Sequence, residues 1–340
     1  HWMVHSFPTR RSSDLVIQVW SAGNDRGAAN EDSAKQQVIG TPYVITVAAL
    51  GSDGKFANYS SFGANVFVTA PSSRSDLTGF GITTTDRTGD GYGYNRYSPE
   101  NQKGESSDAF PDTSYTSTFG GTSSSAPLVS GIMALGVQAN AAMDLRMAQH
   151  VLVRTADVVD SGDASASSSG GWRTNGGGFR FNPNYGFGNI NAGKFVETLR
   201  KVAYVTDQTS HTTGSVAVNA AIPDNSTAGI TRTFSLTAAE LAQPLESIVV
   251  GYTFTHTRRG QLTGTIASPS GMSSRLFYST KDLAAEKQDT ASVTNFSWDF
   301  LSNAFWGESG IRTWTVGLAD LVAGYTGTWN SYKVTLYMGK

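Results

Sequence analysis

Two patterns of apolar and polar positions divide the chain. Up to about residue 203, short continuous apolar runs alternate with segments of helical period. The runs predict parallel strands buried on both faces, and they are Val16–Trp20, Tyr43–Leu50 and Val66–Ala70. Apolar residues then recur at helical spacing from Leu128 to Ala139, which predicts a helix starting near Ser123, and a second helix is predicted over Asp144–Thr155. Residues 16–203 are therefore predicted to form an α/β domain.

From about residue 204 the period of the apolar positions changes to two. Alternating apolar residues from Ile248 to Phe254 predict a strand with one buried face. Further short strands are predicted over Trp314–Leu318 and Trp329–Tyr337, and Ser268–Gly271 is predicted to be a turn. Because no helical pattern occurs in this part, residues 204–340 are predicted to form an all-β sandwich.

The predicted start of the first long helix carries candidate chemistry. Ser123 there has its hydroxyl on the loop side, where free N–H groups and the helix dipole favour negative charge. For a bare Gly-Thr-Ser, a helix N-cap is the simpler interpretation. The longer stretch Gly121–Pro127, followed by a helix of small residues, resembles the nucleophile motif of the subtilisin-like serine proteases. The resemblance implies that Ser123 attacks the peptide carbonyl.

A candidate partner for this serine follows the first predicted strand. Asn24 lies where that strand ends, at the sheet edge where α/β proteins bind ligands, and its side-chain N–H could face an oxyanion. Read alone, Gly-Asn is more often a turn. Trp20–Asn24, lying before the Gly-Thr-Ser, resembles the subtilase segment that supplies the oxyanion-hole asparagine. That resemblance assigns the oxyanion role to Asn24.

The β-rich part resembles a second known domain. The segments that carry this resemblance to the P-domain of kexin-like proprotein convertases are His256–Leu262, Ser268–Gly271, Phe305–Glu308 and Gly327–Trp329. Gln261 stands where that family usually has aspartate. Together the resemblances imply the C-terminal part of a subtilisin-like parallel-sheet domain followed by a jelly-roll P-domain that packs on it in cis. They imply a serine endopeptidase that works through an acyl-enzyme on Ser123.

The first fifteen residues do not follow either pattern. His5–Leu15 has no hydrophobic period and matches the translation of a short-read sequencing adaptor, so residues 1–15 are interpreted as an artefact. We expect the protein to continue upstream and to carry the triad aspartate and histidine there. His150 on the second helix is interpreted as packing or capping, and His211 and His256 are assigned to the sandwich.

The amino-acid composition of the chain excludes some classes of binding partner. The chain has 25 Lys and Arg against 27 Asp and Glu, a net charge of −2 with no basic run, so no footprint for nucleic acid or acidic membranes is present. It contains no cysteine and no apolar run of membrane-spanning length, and no signal peptide is visible. The 37 glycines and low charge favour a rigid, loop-rich protein of extracellular type. The family resemblance implies a secreted or cell-envelope location and protein or peptide substrates.

Three questions stay open in the sequence. Asp86–Asn95 has the oxygen donors and glycines of a calcium loop, but its spacing favours an ordinary solvated loop, so structural calcium is an alternative. The basic-residue pocket of kexin-type enzymes has an acidic residue near the position of Ser61, and Tyr59–Phe62 offers none here. Glu31 and Asp32 are candidate substitutes, and cleavage after paired basic residues is not expected. The alternative function is a non-catalytic binding protein with a degenerate protease body and a β-sandwich binding module.

Overall fold

The structure is a computed structural model that describes residues 16–73, 81–88, 93–95, 108, 110–237, 243–309 and 312–340. The leader segment 1–15, interpreted above as an artefact, lies outside these residues. In chain order the strands and α-helices are β1 (Val19–Ser21), β2 (Ile45–Leu50), β3 (Val68–Pro71), β4 (Ile82–Thr85), β5 (Tyr115–Phe119), α1 (Thr122–Ala139), α2 (Leu145–Thr155), β6 (Arg173–Thr174), β7 (Arg180–Phe181), α3 (Ala192–Leu199), β8 (Thr209–Thr212), β9 (Val216–Ile222), β10 (Ile230–Leu236), β11 (Leu245–His256), β12 (Leu262–Ala267), β13 (Ser273–Phe277), β14 (Val293–Ser302), β15 (Arg312–Asp320) and β16 (Gly327–Met338).

The three strands predicted from the apolar runs form a parallel sheet in the order β1-β2-β3. Strand β2 is buried along its whole length, as predicted. Strand β1 is not, because Trp20 is 46% exposed. The prediction that β1 is buried on both faces is therefore wrong. Among the described strands β1 is also an edge strand, with β2 as its neighbour on one side.

The helix predicted near Ser123 begins one residue earlier, at Thr122, and runs through Pro127 to Ala139. Its buried face, which includes Val129 and Met133, packs on the sheet. Leu128 and Leu135 on another face are 38% and 49% exposed. Helix α2 begins where predicted, since the Asp144 side chain accepts a hydrogen bond from the Met147 N–H at 2.7 Å.

Residues 72–118 carry no sustained period, yet two of their segments pair. Strand β4 lies antiparallel to β5, with Thr84 opposite Thr116. Strand β5 leads directly into the turn before α1. This pairing was missed because short polar strands leave no hydrophobic pattern to read.

The second half is a β-sandwich, as predicted. One sheet has the order β10-β15-β12-β13, and the other has the order β14-β11-β16-β8, with β9 also paired to β16. Between the sheets lie large buried aromatic side chains, including Tyr252, Trp314 and Trp329. The Ser268–Gly271 turn is present, with Gly271 at a φ of 91°.

Strand β11 differs from its prediction on one point. Ile248 and Tyr252 face the sandwich core, but Ser247 and Val249 on the other face are buried as well. The first domain lies against that face, since the Tyr43 ring contacts Tyr337, the residue opposite Ser247, at a centroid distance of 6.2 Å. Contact between domains therefore buries a face that an isolated sandwich would expose.

The two halves share one continuous apolar core. Hydrogen bonds also join them, because the Asn303 backbone N–H donates to the Ala64 carbonyl at 3.0 Å and the Asn175 side-chain amide donates to the Ala304 carbonyl at 2.9 Å. Helix α3 ends at Leu199 and β8 begins at Thr209, while the division at residue 204 stays a prediction. No α-helix in the described part of the chain has the length and apolarity needed to cross a membrane.

Candidate active site

Ser123 is the second residue of α1 and is exposed. The turn before it needs glycine, because Gly121 has a φ of 80° and a Cβ on Gly120 would lie 1.7 Å from the Ser73 hydroxyl. Among the described residues, the Ser123 hydroxyl has no hydrogen-bond partner. It is therefore presented to solvent at the positive end of an 18-residue helix.

A cluster of hydroxyl groups stabilises the turn before α1 by hydrogen bonds to Gly121. The Tyr59 hydroxyl accepts a hydrogen bond from the Gly121 N–H at 3.0 Å and donates to the Ser73 carbonyl at 2.6 Å. The hydroxyls of Ser72 and Ser124 each donate to the Gly121 carbonyl at 2.9 Å. The contact of Tyr59 with this turn was not predicted, and the run of small residues around Ser123 was the available signal that the turn is tightly packed.

Asn24 lies on the loop after β1 and contacts the same turn. Its side-chain oxygen accepts hydrogen bonds from the Thr122 N–H at 2.8 Å and from the Thr122 hydroxyl at 3.0 Å. Because the oxygen is committed to Thr122, the Asn24 NH₂ group is left as a donor, and no described residue accepts from it. The structure thus brings Asn24 and the Ser123 helix start together.

The free donors border one small space. A Cβ on Gly121 would lie 3.2 Å from the Asn24 side-chain nitrogen and 3.6 Å from the backbone nitrogen of Ser123. The Ser123 N–H has no partner among the described residues. A hydroxyl nucleophile beside two convergent N–H donors is the arrangement that acyl transfer uses, since the donors stabilise charge on a carbonyl oxygen under attack.

None of the histidines in the described part of the chain is placed to act as the base for Ser123. His150 is buried, with its Nε2 atom 2.7 Å from Glu246. His256 is fully buried inside the sandwich, with its Nε2 atom 3.1 Å from Asp320. His211 lies in β8, paired with Leu336 of β16, and the other two histidines are outside the described residues.

His150 belongs to an ion-pair network between the domains. Arg146 and His150 on α2 both bond to Glu246 of β11, and the Arg146 guanidinium also donates to the Thr206 carbonyl at 2.7 Å. Burial opposes the charge of Glu246, but the hydrogen bonds from His150 and Arg146 outweigh it and lower the pKa of Glu246 to about 2. The geometry of the network is that of a structural ion pair, because no nucleophile among the described residues contacts the histidine.

Asp32 does not line a substrate pocket as the sequence suggested. Its carboxylate is fully buried and accepts hydrogen bonds from the Ala34 N–H at 3.0 Å and from the Tyr278 N–H of the second domain at 2.9 Å. Burial raises the pKa of Asp32 to about 6. Ser61 is buried too, and Glu31 accepts from the Gly27 N–H at 2.9 Å. Asp32 is thus an interface residue, which corrects that interpretation.

The candidate calcium loop is described only in part, since residues 89–92 lie outside the described residues. The Asp86 carboxylate accepts hydrogen bonds from the backbone N–H groups of Arg87, Tyr94 and Asn95 at 2.7–2.8 Å. No group of three or more His, Asp or Glu among the described residues could hold a metal ion. The described donors of the loop do not fit a calcium ligand set, and calcium binding stays a prediction.

Comparison with known families agrees with this geometry. Residues 2–188 match the sequence profile described as "Subtilase family", and residues 245–336 match the one described as "Proprotein convertase P-domain". The two profiles follow the order of the α/β domain and the sandwich. An α/β domain of subtilisin type followed by a P-domain is therefore confirmed.

Individual relatives support the same architecture. The "Aeromonas extracellular serine protease" of Aeromonas sobria is 30% identical over 310 residues, covering 82% of this chain and 48% of the relative. Human "Proprotein convertase subtilisin/kexin type 6" is 34% identical over 207 residues, or 59% of this chain and 20% of the relative. The chain thus spans half or less of the length of these curated relatives.

Among solved structures, the serine protease of Aeromonas sobria superposes with a TM-score of 0.81 at 24% identity, covering 96% of this chain and 66% of that one. The same protease in complex with its chaperone ORF2 gives a TM-score of 0.80 at 24% identity, with the same coverage of both chains. At these identities the likeness shows the fold alone. It extends over both domains of the chain.

Proposed function

Because this chain belongs to the subtilase family of serine proteases, we propose that it supplies the nucleophile and the oxyanion-binding groups of a peptide-hydrolysing active site. Ser123 is the nucleophile, and Asn24 with the Ser123 N–H binds the oxyanion. The observation that carries the proposal is the hydrogen bond from the Thr122 N–H to the Asn24 side-chain oxygen, which leaves the Asn24 NH₂ group free beside Ser123.

The chemistry follows from these positions. The Ser123 oxygen attacks the peptide carbonyl while a base takes its proton, and the carbonyl electrons move onto the oxygen. The Asn24 NH₂ group and the Ser123 N–H donate to that oxygen as its negative charge develops. Collapse expels the amine, which takes up the proton, and leaves an acyl-enzyme that water hydrolyses. The base and the carboxylate that orients it must come from outside the described residues.

We also propose a role for the sandwich, a location for the protein and a limit on its cleavage specificity. The sandwich acts in cis as a stabiliser, because it shares a core with the first domain. A secreted or cell-envelope location is supported by the low charge of the chain and by the extracellular relative from Aeromonas sobria. Cleavage after paired basic residues is not expected, because the described residues at Ser61 and Asp32 offer no exposed carboxylate.

The test is covalent labelling of the native protein, purified from its source, with a fluorophosphonate probe. We expect stoichiometric labelling that peptide mapping places on Ser123, together with hydrolysis of casein. Hydrolysis with labelling on another residue would refute the assignment, and a folded protein with neither labelling nor hydrolysis would favour the non-catalytic binding protein.

A second arm uses the 340-residue chain expressed alone. We expect no turnover from it, because no described group lies in position to take the Ser123 proton. Turnover with labelling of Ser123 in this chain would show that residues outside the described ranges, such as His1 or His5, provide the base.

A further inference from the structure

A partly buried arginine lies two residues after Asn24. We propose that Arg26 is a positioning residue for the oxyanion site, because its guanidinium fixes the loop that places the Asn24 NH₂ group beside Ser123. The catalytic consequence of this inference rests on the proposed function. The structural claim, that Arg26 keeps Asn24 hydrogen-bonded to Thr122, can be tested in a protein that has no catalytic activity.

The Asn24 loop has no regular structure of its own to hold it. Hydrogen bonds attach it to the segment of residues 59–61, since the Ser61 N–H donates to the Gly23 carbonyl at 2.8 Å, the Asp25 N–H to the Ser61 hydroxyl at 3.2 Å and the Arg26 N–H to the Tyr59 carbonyl at 3.2 Å. On the other side, the Gly23 N–H donates to the Thr122 hydroxyl at 3.2 Å. Among the described residues, Asn24 itself is held by side-chain hydrogen bonds to Thr122 only. A small movement of the loop would therefore detach Asn24 from the helix start.

The Arg26 side chain ties this loop to three other segments. Its guanidinium donates to the Ser60 carbonyl at 2.7 Å, to the Ser167 hydroxyl at 2.9 Å and to the Asn184 side-chain oxygen at 2.8 Å. These three bonds run in different directions from one planar group, which fixes its orientation as well as its position.

Two aromatic rings enclose the same guanidinium. Its central carbon lies 4.0 Å from the centre of the Phe56 ring and 4.6 Å from that of the Phe62 ring. Cation–π contacts of this kind strengthen when water is excluded. The side chain is thus held by its hydrogen bonds and by contacts with two rings.

The charge of Arg26 has no direct counter-ion among the described residues. Burial lowers the pKa of Arg26 to about 10, which still leaves it protonated at neutral pH. Compensation comes through Asn184, whose oxygen accepts from Arg26 while its NH₂ group donates to the buried Asp163 carboxylate at 2.8 Å. A partly buried cation without these acceptors would be destabilising, so the loop is favoured in the position where the guanidinium reaches all of them.

Position matters here because an oxyanion donor acts only within hydrogen-bond distance of the developing charge. A displacement of about 1 Å in a catalytic group can lower a rate about 100-fold. Loss of the Arg26 contacts should therefore lower kcat and leave KM nearly unchanged, since the substrate's ground state does not depend on the oxyanion donor.

The first experiment measures backbone hydrogen exchange in the 340-residue chain. In Arg26→Gln, exchange at the Thr122 N–H should rise about tenfold, as in Asn24→Ala, because one hydrogen bond protects it in both cases. The matched control is Arg154→Gln on helix α2. Arg154 is another partly buried arginine, and its guanidinium lies over the Phe179 ring. Arg154→Gln should leave the exchange rate of the Thr122 N–H unchanged. If Arg26→Gln also leaves that rate unchanged, the proposal is wrong.

Arg26→Lys separates the shape of the side chain from its charge, and it carries the test if Arg26→Gln does not fold. Lysine keeps the positive charge but cannot donate to three acceptors in a planar fork. Exchange at Thr122 should rise in this variant too. Exchange equal to that of the unaltered chain would show that charge alone suffices and would overturn the positioning role.

The second experiment is a double-mutant cycle on kcat in the native enzyme. Arg26→Gln should lower kcat about 10- to 100-fold, and it should have no further effect when Asn24 is already alanine. Additive losses would mean that Arg26 acts independently of Asn24, against the proposal. If the native protein hydrolyses nothing, the proposed function fails, while the exchange measurement still decides whether Arg26 holds Asn24.

Discussion

Two regions of this molecule hold residues with the chemistry of a hydrolase, and they differ in access and partners. Ser123 and Asn24 are exposed at a helix start, with free N–H donors and no base in the described part of the chain. His150 and Glu246 form a hydrogen-bonded base and carboxylate, but they are buried between the domains beside Arg146. By residue type alone, either region could be catalytic. The two regions differ because the Ser123 region is exposed to substrate and has free N–H donors, whereas the His150 region is buried.

The contrast also explains what each region contributes to stability. The Glu246 network is enclosed and fully partnered, so its charges link α2 to β11. The donors at the Ser123 site have no partner in the described part of the chain, which is unfavourable for folding and useful only if a ligand accepts their hydrogen bonds. Each prediction below changes one region and asks whether the other responds.

The largest effect is expected from Ser123→Ala. It should lower turnover of the native enzyme by about 10⁶-fold, the order known for the nucleophile of this family, and abolish fluorophosphonate labelling. The melting temperature should not change, since the Ser123 hydroxyl has no partner among the described residues. Ser130→Ala is the matched control, an exposed serine two turns further along the same helix. Loss of activity in the control as well would point to damage to the helix instead.

Glu246→Gln should have the next largest effect, on stability. Removing the carboxylate leaves Arg146 and His150 without their shared partner, which should lower the free energy of unfolding by about 3–5 kcal/mol. Denaturant titration measures this, with Glu197→Gln as the control, because the ion pair of Glu197 with Lys201 is exposed and its loss should give no measurable change. Labelling of Ser123 in the folded variant should persist. A loss of labelling at temperatures where the variant is folded would mean that the two regions are coupled.

Asn24→Ala should reduce turnover by about 10²–10³-fold, the range known for an oxyanion donor of this family, and leave a measurable remnant. The reason is that the Ser123 N–H still donates to the oxyanion. Steady-state kinetics should show the loss in kcat rather than KM. Asn30→Ala, an exposed asparagine on the same loop, serves as the control and should behave as the unaltered enzyme. Full activity in Asn24→Ala would remove Asn24 from the mechanism.

The smallest effect concerns pH and the second buried carboxylate of the interface. Burial raises the pKa of Asp32 from 3.8 to about 6, so its protonated form favours the folded state. Stability from this group is therefore present below pH 3.8 and is lost as pH rises through about 6, by up to about 3 kcal/mol.

The measurement compares the unfolding free energy of Asp32→Asn with that of the unaltered protein between pH 4 and pH 7. The difference should move in favour of the variant as pH rises, because asparagine cannot ionise. Glu246 provides the contrast, since its lowered pKa gives stability above pH 4.5 that is lost as pH falls toward about 2. A difference that does not vary with pH would show that Asp32 titrates normally.

Much of the architecture could be predicted from local sequence. The start of α1 was placed within one residue, because glycines, small hydroxyl residues and helical spacing occur together within a short segment. The Asp144 cap, strand β2 and the alternation in β11 are local signals of the same kind. The pairing of β4 with β5 was missed because neither segment carries an apolar pattern.

By itself, the sequence determined which residues could do chemistry: a serine at a helix start, an asparagine after a strand and a change of period that separates two domains. Only the tertiary structure decided their partners. The Asn24 amide is oriented by Thr122, 98 residues away, and His150 is bound by Glu246, 96 residues away. The physical reason is that hydrogen-bond partners and burial depend on which distant segments meet in space. A local pattern of polar and apolar residues carries no record of that.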